Sequence, residues 1–154
     1  MPAHRARLAE LGLVLPAVAA PLAAYVPAVR NGSLVWTSGQ LPFVNGALAV
    51  TGKVGSDLQP DQASELAKVC ALNALAAIDD LVGLDAVLRV VKVVGYVASS
   101  PDFTGQPAVV NGASEFLGEL FGDAGRHARS AVGVAVLPLN APVEVELVVE
   151  VDAA

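Results

Sequence analysis

The end of the chain decides the fold, because residues 125–151 read GRHARSAVGVAVLPLNAPVEVELVVEV. Two runs rich in β-branched residues, 129–136 and 143–151, flank the turn-forming stretch LPLNAP and predict two strands. In the second run every odd position is apolar, whereas Glu144 and Glu146 lie on the alternate side. One face of this strand is therefore expected in the core, and the other carries carboxylates.

The first of these strands places a cation above small side chains. Period-two alternation puts Arg129, Ala131 and Gly133 on the same side. Small residues let a ligand or another backbone approach closely. The guanidinium of Arg129 matches a carboxylate through two parallel hydrogen bonds. An ion pair with a glutamate of the last strand is the alternative interpretation.

Upstream of this region, two helical segments alternate with a β-branched strand. A helix capped by Ser56 or Asp57 is expected to run to Gly83. Residues 87–97 form a nearly continuous apolar run, which predicts a central strand covered on both faces. A second helix follows a turn-rich loop and stops at Gly122.

The first third of the chain predicts a short helix and a small antiparallel unit. Residues 3–11 favour a helix that ends at Gly12, and LVWTS at 34–38 has strand composition. The dipeptide NG at 45–46 predicts a hairpin. The expected fold is α+β, a β-β-α-β-α-β-β two-layer sheet with both helices on one face. We expect one domain over 1–154, with an extra N-terminal helix within 1–12.

Composition indicates an apolar surface that another subunit covers. The chain has 154 residues, 55% hydrophobic and 16% charged, against about 25% charged in typical domains. Residues 11–29 carry no charge but contain three prolines, which argues against a membrane span. A signal peptide is also disfavoured, because Glu10 interrupts the apolar region. With one cysteine, Cys70, we expect a cytoplasmic oligomer.

Charge and residue inventory exclude several classes of function. The net charge is -6 and the nine Lys and Arg residues are scattered, so nucleic acid is not the expected partner. Two histidines with no Cys/His/Asp cluster predict no metal site. Cys70 lies among apolar residues of a helix and is expected to be buried rather than nucleophilic. No phosphate-binding loop or other cofactor motif is present.

Two further side chains are candidates for acid–base chemistry. Glu144 follows a Pro-containing turn, on a strand expected to adjoin that of Arg129, where a carboxylate could orient or deprotonate water. Glu146 and Glu150 share its pattern, so spacing alone does not choose among them. His127 is either an acid or base near neutral pH or an exposed residue of a strand edge.

Several short blocks recur along the chain in a characteristic order: Tyr25, TSGQLP at 37–42, VN at 110–111, RS at 129–130, LP at 137–138 and VEVE at 143–146. In residue type and spacing they resemble the reactive-intermediate deaminase (RidA/YjgF) family, almost throughout the chain after the N-terminal helix. The sequence departs from the family pattern at Val26-Pro27, where deaminases more often have Ser-Gln, and at Ala131, where many have Cys.

The resemblance implies a chorismate-mutase-like homotrimer with ligand sites in clefts between subunits. Active members hydrolyse 2-imino and enamine acids to 2-keto acids and ammonia without a cofactor. Arg129 matches the arginine that holds the substrate carboxylate, and Glu144 matches the acidic residue linked to the attacking water. Four other positions match residues that line the cleft: Tyr25, Ser38, Gly39 and Asn111. The backbone around Ala131 is expected to contact the imine nitrogen.

Two other functions remain open at this stage. A non-catalytic protein could use the same cleft to bind a small carboxylate metabolite. Some relatives have been called endoribonucleases or translation inhibitors, a function that the acidic charge and the absence of a basic track disfavour. The favoured hypothesis is a deaminase acting on small 2-imino acids.

Overall fold

The computed structural model describes residues 3–21 and 23–153, which form three α-helices and five strands. Met1 and Pro2 of the predicted N-terminal segment 1–12 lie outside the described residues, as do Leu22 and Ala154 of the predicted domain. The elements are α1 (His4–Glu10), β1 (Ala28–Asn31), β2 (Leu34–Thr37), α2 (Pro60–Val82), β3 (Val87–Ala98), α3 (Gln106–Phe121), β4 (Ala128–Val134) and β5 (Val143–Val151).

The five strands make one mixed sheet in the order β1-β2-β5-β3-β4. β3 and β4 are parallel, and the other neighbours are antiparallel. Parallel strands need a crossover connection, which α3 supplies here. Helices α2 and α3 pack together on one face of the sheet. The predicted two-layer α+β architecture is confirmed.

The core lies between the helices and one face of the sheet. The odd positions of β5 are buried, as their alternation predicts, and Val145 has no exposed surface. Cys70 of α2 is fully buried, with its Sγ 3.7 Å from the carbonyl oxygen of Val143. Desolvation raises the pKa of the Cys70 thiol well above its ordinary value, so the thiol is held in its unreactive form.

The opposite face of the sheet is open in the single chain. We predicted that β3 would be covered on both faces, and this is wrong, because its residues Leu88 and Val91 are exposed. Trp36 of β2 also lies on this face, opposite Val148 in the register, and is 50% exposed. Val29 pairs with Trp36 and extends the apolar patch onto β1. Exposed apolar surface of this kind marks an interaction site.

The first antiparallel pair differs from the prediction. The strands β1 and β2 pair across the turn at Gly32, whose φ of 64° favours glycine. The predicted NG turn does form, with positive φ at Asn45 and Gly46. Only a single bridge between Val44 and Ala47 accompanies it. Local turn chemistry predicted the turn correctly, but the flanking residues do not join the sheet.

The boundaries of other elements can also be compared with the sequence prediction. Gln59 precedes α2 and no side chain caps it. The Asp57 carboxylate instead accepts a hydrogen bond from the backbone N–H of Lys53, at 2.8 Å. β4 ends at Val134, two residues early, whereas α3 ends before Gly122 as predicted. Within the described residues, no helix is both long and apolar enough to cross a membrane.

Candidate functional site

Arg129 lies on the helix-covered side of the edge strand β4. Its register partner on β3 is Val93, which is buried beneath the helices, so both side chains point the same way. The Arg129 Nη1 donates to Asn111 Oδ1 at 2.7 Å and to Ser114 Oγ at 3.2 Å. Its Nη2 donates to the carbonyl oxygen of Pro107 at 3.4 Å. The guanidinium is therefore held by one face and the first turn of α3.

These hydrogen bonds leave one edge of the guanidinium available. Both hydrogens of Nη1 have acceptors, whereas Nε donates to no group among the described residues. Nε and one hydrogen of Nη2 lie on the same edge, in the geometry that binds a carboxylate through two parallel bonds. The ion pairs within residues 3–21 and 23–153 do not include Arg129. The alternative interpretation of Arg129, an ion pair with a glutamate of the last strand, is thus not what the chain forms.

His127 is part of the same hydrogen-bonded cluster. Its Nδ1 lies 2.6 Å from the carbonyl oxygen of Gly125, and its Nε2 lies 2.9 Å from Ser114 Oγ. The side chain is half-buried rather than an exposed residue of the strand edge. We define the Arg129 group as Asn111, Ser114, His127 and Arg129.

The small residues of β4 serve the packing of α3. A side chain at Gly133 would come 2.6 Å from Gln106 Nε2 of α3. Gly95, the register partner of Ala131, leaves the space that Val110 of α3 occupies. Ala131 itself is half-buried, on the same side of β4 as Arg129 and one pair further along. Part of the predicted floor of small residues is therefore filled by the helix.

Glu144 belongs to a second cluster, on the open face of the sheet. It is in register with Tyr96 and half-buried. A Cβ on Gly39 would collide with the Glu144 carboxylate, so glycine is needed for this approach. Burial, followed by the charge of Glu146, raises the pKa of the Glu144 carboxyl above its ordinary value. A carboxyl with a raised pKa is a stronger base than an ordinary carboxylate.

The residues around Gly39 complete this second cluster. Ser38 Oγ donates to the carbonyl oxygen of Val26 at 2.6 Å, which joins the two segments predicted to line a cleft. Tyr25 is 45% exposed and lines a small cavity together with Gly39. We define the Glu144 group as Tyr25, Ser38, Gly39 and Glu144.

Glu146 has a different environment from Glu144. The Tyr96 hydroxyl donates to Glu146 Oε1 at 2.6 Å. This hydrogen bond, with smaller effects from burial and from the charges of Glu146 and Glu144, raises the pKa of Tyr96 to about 12. Glu146 is therefore engaged within the sheet, whereas the Glu144 carboxylate lies against the backbone at Gly39. Sequence spacing could not separate these two residues.

The chain does not bring the two groups together. We predicted that the strand of Glu144 adjoins that of Arg129, and this is wrong, because β3 lies between β5 and β4. Two strand spacings separate the strands by about 10 Å, and the two residues are also offset by three positions along β3. They also face opposite sides, since Arg129 aligns with buried Val93 and Glu144 aligns with Tyr96 on the open face. One small ligand cannot contact both side chains of the same chain.

Ser114 is the functional candidate that sequence reasoning missed. It lies three residues after Asn111 on α3, and residues at this spacing share a helix face. That spacing was the available signal, because both side chains then reach the same guanidinium nitrogen. No group of three His, Cys, Asp or Glu side chains suited to a metal ion occurs in the part of the chain that the structure describes.

Residues 5–151 match the protein family described as "YjgF/chorismate_mutase-like, putative endoribonuclease", and the chain belongs to this family. Protein TCP17 of Trypanosoma cruzi is 45% identical over 149 residues, covering 96% of this chain and 93% of that protein. A 2-iminobutanoate/2-iminopropanoate deaminase of Dermatophagoides farinae is 33% identical over 138 residues, with coverage of 89% and 93%.

Solved structures share the fold over nearly the whole chain. The protein Atu1372 of Agrobacterium tumefaciens, described as of unknown function, has a TM-score of 0.89 at 45% identity, covering 97% of this chain and 92% of its own. Escherichia coli TdcF, solved with bound serine, has a TM-score of 0.62 at 25% identity, with coverage of 90% and 96%.

Proposed function

We propose that the protein is a homotrimeric enamine/imine deaminase that hydrolyses 2-imino acids to 2-keto acids and ammonia without a cofactor. The observation that carries the proposal is the free Nε/Nη2 edge of Arg129, on a guanidinium that is held to α3 by both hydrogens of Nη1 and by the other hydrogen of Nη2. A carboxylate is the group this edge binds best. The deaminase of Dermatophagoides farinae, 33% identical, supports the choice of substrate class.

A trimer explains how two separated groups act on one substrate. The Arg129 group faces the helices at the edge of the sheet, and the Glu144 group lies on the open face. In a ring of three copies, the Arg129 group of one subunit meets the Glu144 group of the next, giving three equivalent clefts. The exposed apolar surface around Trp36 and Val29 provides the contact area that such an assembly buries.

The reaction needs only binding, orientation and a proton carrier. Arg129 holds the substrate carboxylate, and the backbone near Ala131 contacts the imine nitrogen. The Glu144 carboxylate accepts a proton from water as the water oxygen bonds to the carbon of the protonated imine, which gives a carbinolamine. The same carboxyl returns this proton to the nitrogen. The C–N bond then breaks as the hydroxyl proton passes to the Glu144 carboxylate, so that ammonia leaves and the C=O of the keto acid forms. Tyr25, Ser38 and Gly39 form the adjoining wall.

The first test is imine hydrolysis. An amino-acid oxidase generates 2-iminobutanoate in situ, and its lifetime is followed by trapping with semicarbazide. We expect the wild-type protein to shorten this lifetime and Arg129→Ala to abolish the effect. Arg126→Ala is the matched control, because Arg126 is a nearby arginine whose side chain is 85% exposed. A wild-type protein no faster than buffer contradicts the proposal.

Titration with 2-oxobutanoate distinguishes the main alternative, a protein that only binds. A protein that only binds has an affinity for 2-oxobutanoate that depends on Arg129, and it shows no turnover. Its affinity is unchanged in Glu144→Gln. A deaminase loses turnover in Glu144→Gln but keeps its affinity for the keto acid, because the carboxylate is held by Arg129.

A further inference from the structure

We propose that His127, acting through Ser114, is a positioning residue that orients Arg129 for the substrate carboxylate. The inference rests on the proposed role of Arg129 and deepens it. The observation behind it is an unbroken series of hydrogen bonds from the carbonyl oxygen of Gly125, through His127 and Ser114, to Arg129 Nη1.

Each bond in this series has a defined direction. A carbonyl oxygen can only accept, so Nδ1 of His127 donates to Gly125. In the neutral ring, Nε2 is then the acceptor, and it takes the hydroxyl proton of Ser114. Because the Ser114 hydroxyl hydrogen is engaged there, the lone pairs of its oxygen remain to accept from Arg129 Nη1. Arg129 can only donate, so each hydrogen bond in the series pairs one donor with one acceptor.

The far end of the series is rigid. Gly125 is buried, and a Cβ there would clash with the Leu117 carbonyl and lie 3.1 Å from the Cα of Gly118. The series therefore begins in backbone that packs against α3 and returns to α3 at Ser114. Asn111 accepts from the same Nη1 one turn earlier on the helix, at 2.7 Å. With both hydrogens of Nη1 fixed, the plane of the guanidinium is fixed as well.

Loss of His127 is expected to affect binding more than the chemical step. Without an acceptor at Nε2, the Ser114 hydroxyl is free to rotate, and Arg129 can adopt other orientations. We expect KM for the imino acid, and Kd for 2-oxobutanoate, to rise about tenfold in His127→Phe, the scale of one hydrogen bond to a charged group. The turnover number is expected to change less than threefold, since no reacting atom touches His127.

Conservative variants distinguish the contributions of Nδ1 and Nε2 of the His127 ring. The amide of Gln places an acceptor near the position of Nε2, whereas the amide of Asn reaches only the position of Nδ1. We therefore expect His127→Gln to restore most of the affinity and His127→Asn to restore little. In a Ser114→Ala background, His127→Phe should cause no further loss, because His127 acts through that hydroxyl. Arg126→Ala again serves as the control.

Nitrogen-15 NMR of His127 tests the geometry without any substrate. For the neutral ring we expect a protonated Nδ1 and an unprotonated Nε2, with the Nε2 signal shifting in Ser114→Ala. Additive losses in the double variant, equal rescue by Asn and Gln, or a proton on Nε2 of the neutral ring would overturn the proposal. If the wild-type protein neither binds keto acid nor hydrolyses imine, the deaminase function fails. The NMR result still decides whether His127 orients Ser114.

Discussion

Arg129 and Glu144 lie on opposite faces of one sheet, on strands that β3 separates. Each nevertheless lies in a defined local environment. Asn111 and Ser114 hold the guanidinium. The Glu144 carboxylate occupies the space that a side chain at Gly39 would fill. Under the proposed function two chains complete one site, and this relationship leads to four further experiments.

Mixed trimers test whether sites are shared between subunits. Arg129→Ala and Glu144→Gln are each expected to be inactive alone. Coexpressed in equal amounts, they should recover about a quarter of wild-type activity, because half of the subunits keep Arg129 and half of their neighbours keep Glu144. Activity of the purified mixture, compared with each variant alone, is the measurement. A mixture as inactive as its components would place the site within one chain.

The pH dependence of hydrolysis tests Glu144 as the base. Its pKa is raised by burial and by Glu146, so the rate should rise with pH through a value above the ordinary carboxyl range of about 4.3. Glu146→Gln removes the neighbouring charge and should move this acid limb to lower pH. The amide oxygen of Gln can still accept from Tyr96, so the local packing is retained.

Glu150→Gln is the control for that pH profile, since it removes a carboxylate from the same strand beyond Val148. An acid limb that stays in place in Glu146→Gln would show that Glu144 does not set it.

Gly39 should tolerate no side chain. A Cβ there meets the Glu144 carboxylate, so Gly39→Ala must displace either the backbone or the carboxylate, at a cost of about 1–3 kcal/mol. Gly118→Ala is the matched control, because nothing lies within 4 Å of its Cβ position on α3. This control should gain about 0.5–1 kcal/mol. The unfolding temperature and the rate of imine hydrolysis are measured for both variants. We expect both quantities to fall only in Gly39→Ala.

Assembly should depend on the open face of the sheet. Trp36→Glu places a charge in the exposed apolar patch, and we expect it to convert the trimer to smaller species. Leu81→Glu is the control, because Leu81 is similarly exposed, at 45%, but lies near the end of α2 on the opposite layer. Light scattering with size-exclusion chromatography gives the mass of each. A Trp36→Glu protein that remains trimeric would place the interface elsewhere.

Local sequence patterns predicted the elements that carry the candidate site. The alternation in β5 predicted a buried odd face, and the stop at Gly122 predicted the end of α3. The same reasoning missed β1, because its pairing partner and the turn at Gly32 matter more than its own composition. It also missed the hydrogen bond from the backbone N–H of Lys53 to the Asp57 carboxylate. This bond stabilises the turn before α2, so Asp57 does not cap the helix.

The sequence by itself determined which residues share a face of each strand, because side-chain direction follows the two-residue period of the backbone. It thereby placed Arg129 with Ala131, and Glu144 with Glu146. Only the tertiary structure decided that β5 enters between β2 and β3, since pairing between distant strands depends on packing of the whole sheet rather than on local periodicity. That order separates Arg129 from Glu144, and the packing of α3 on β4 brings Ser114 to His127.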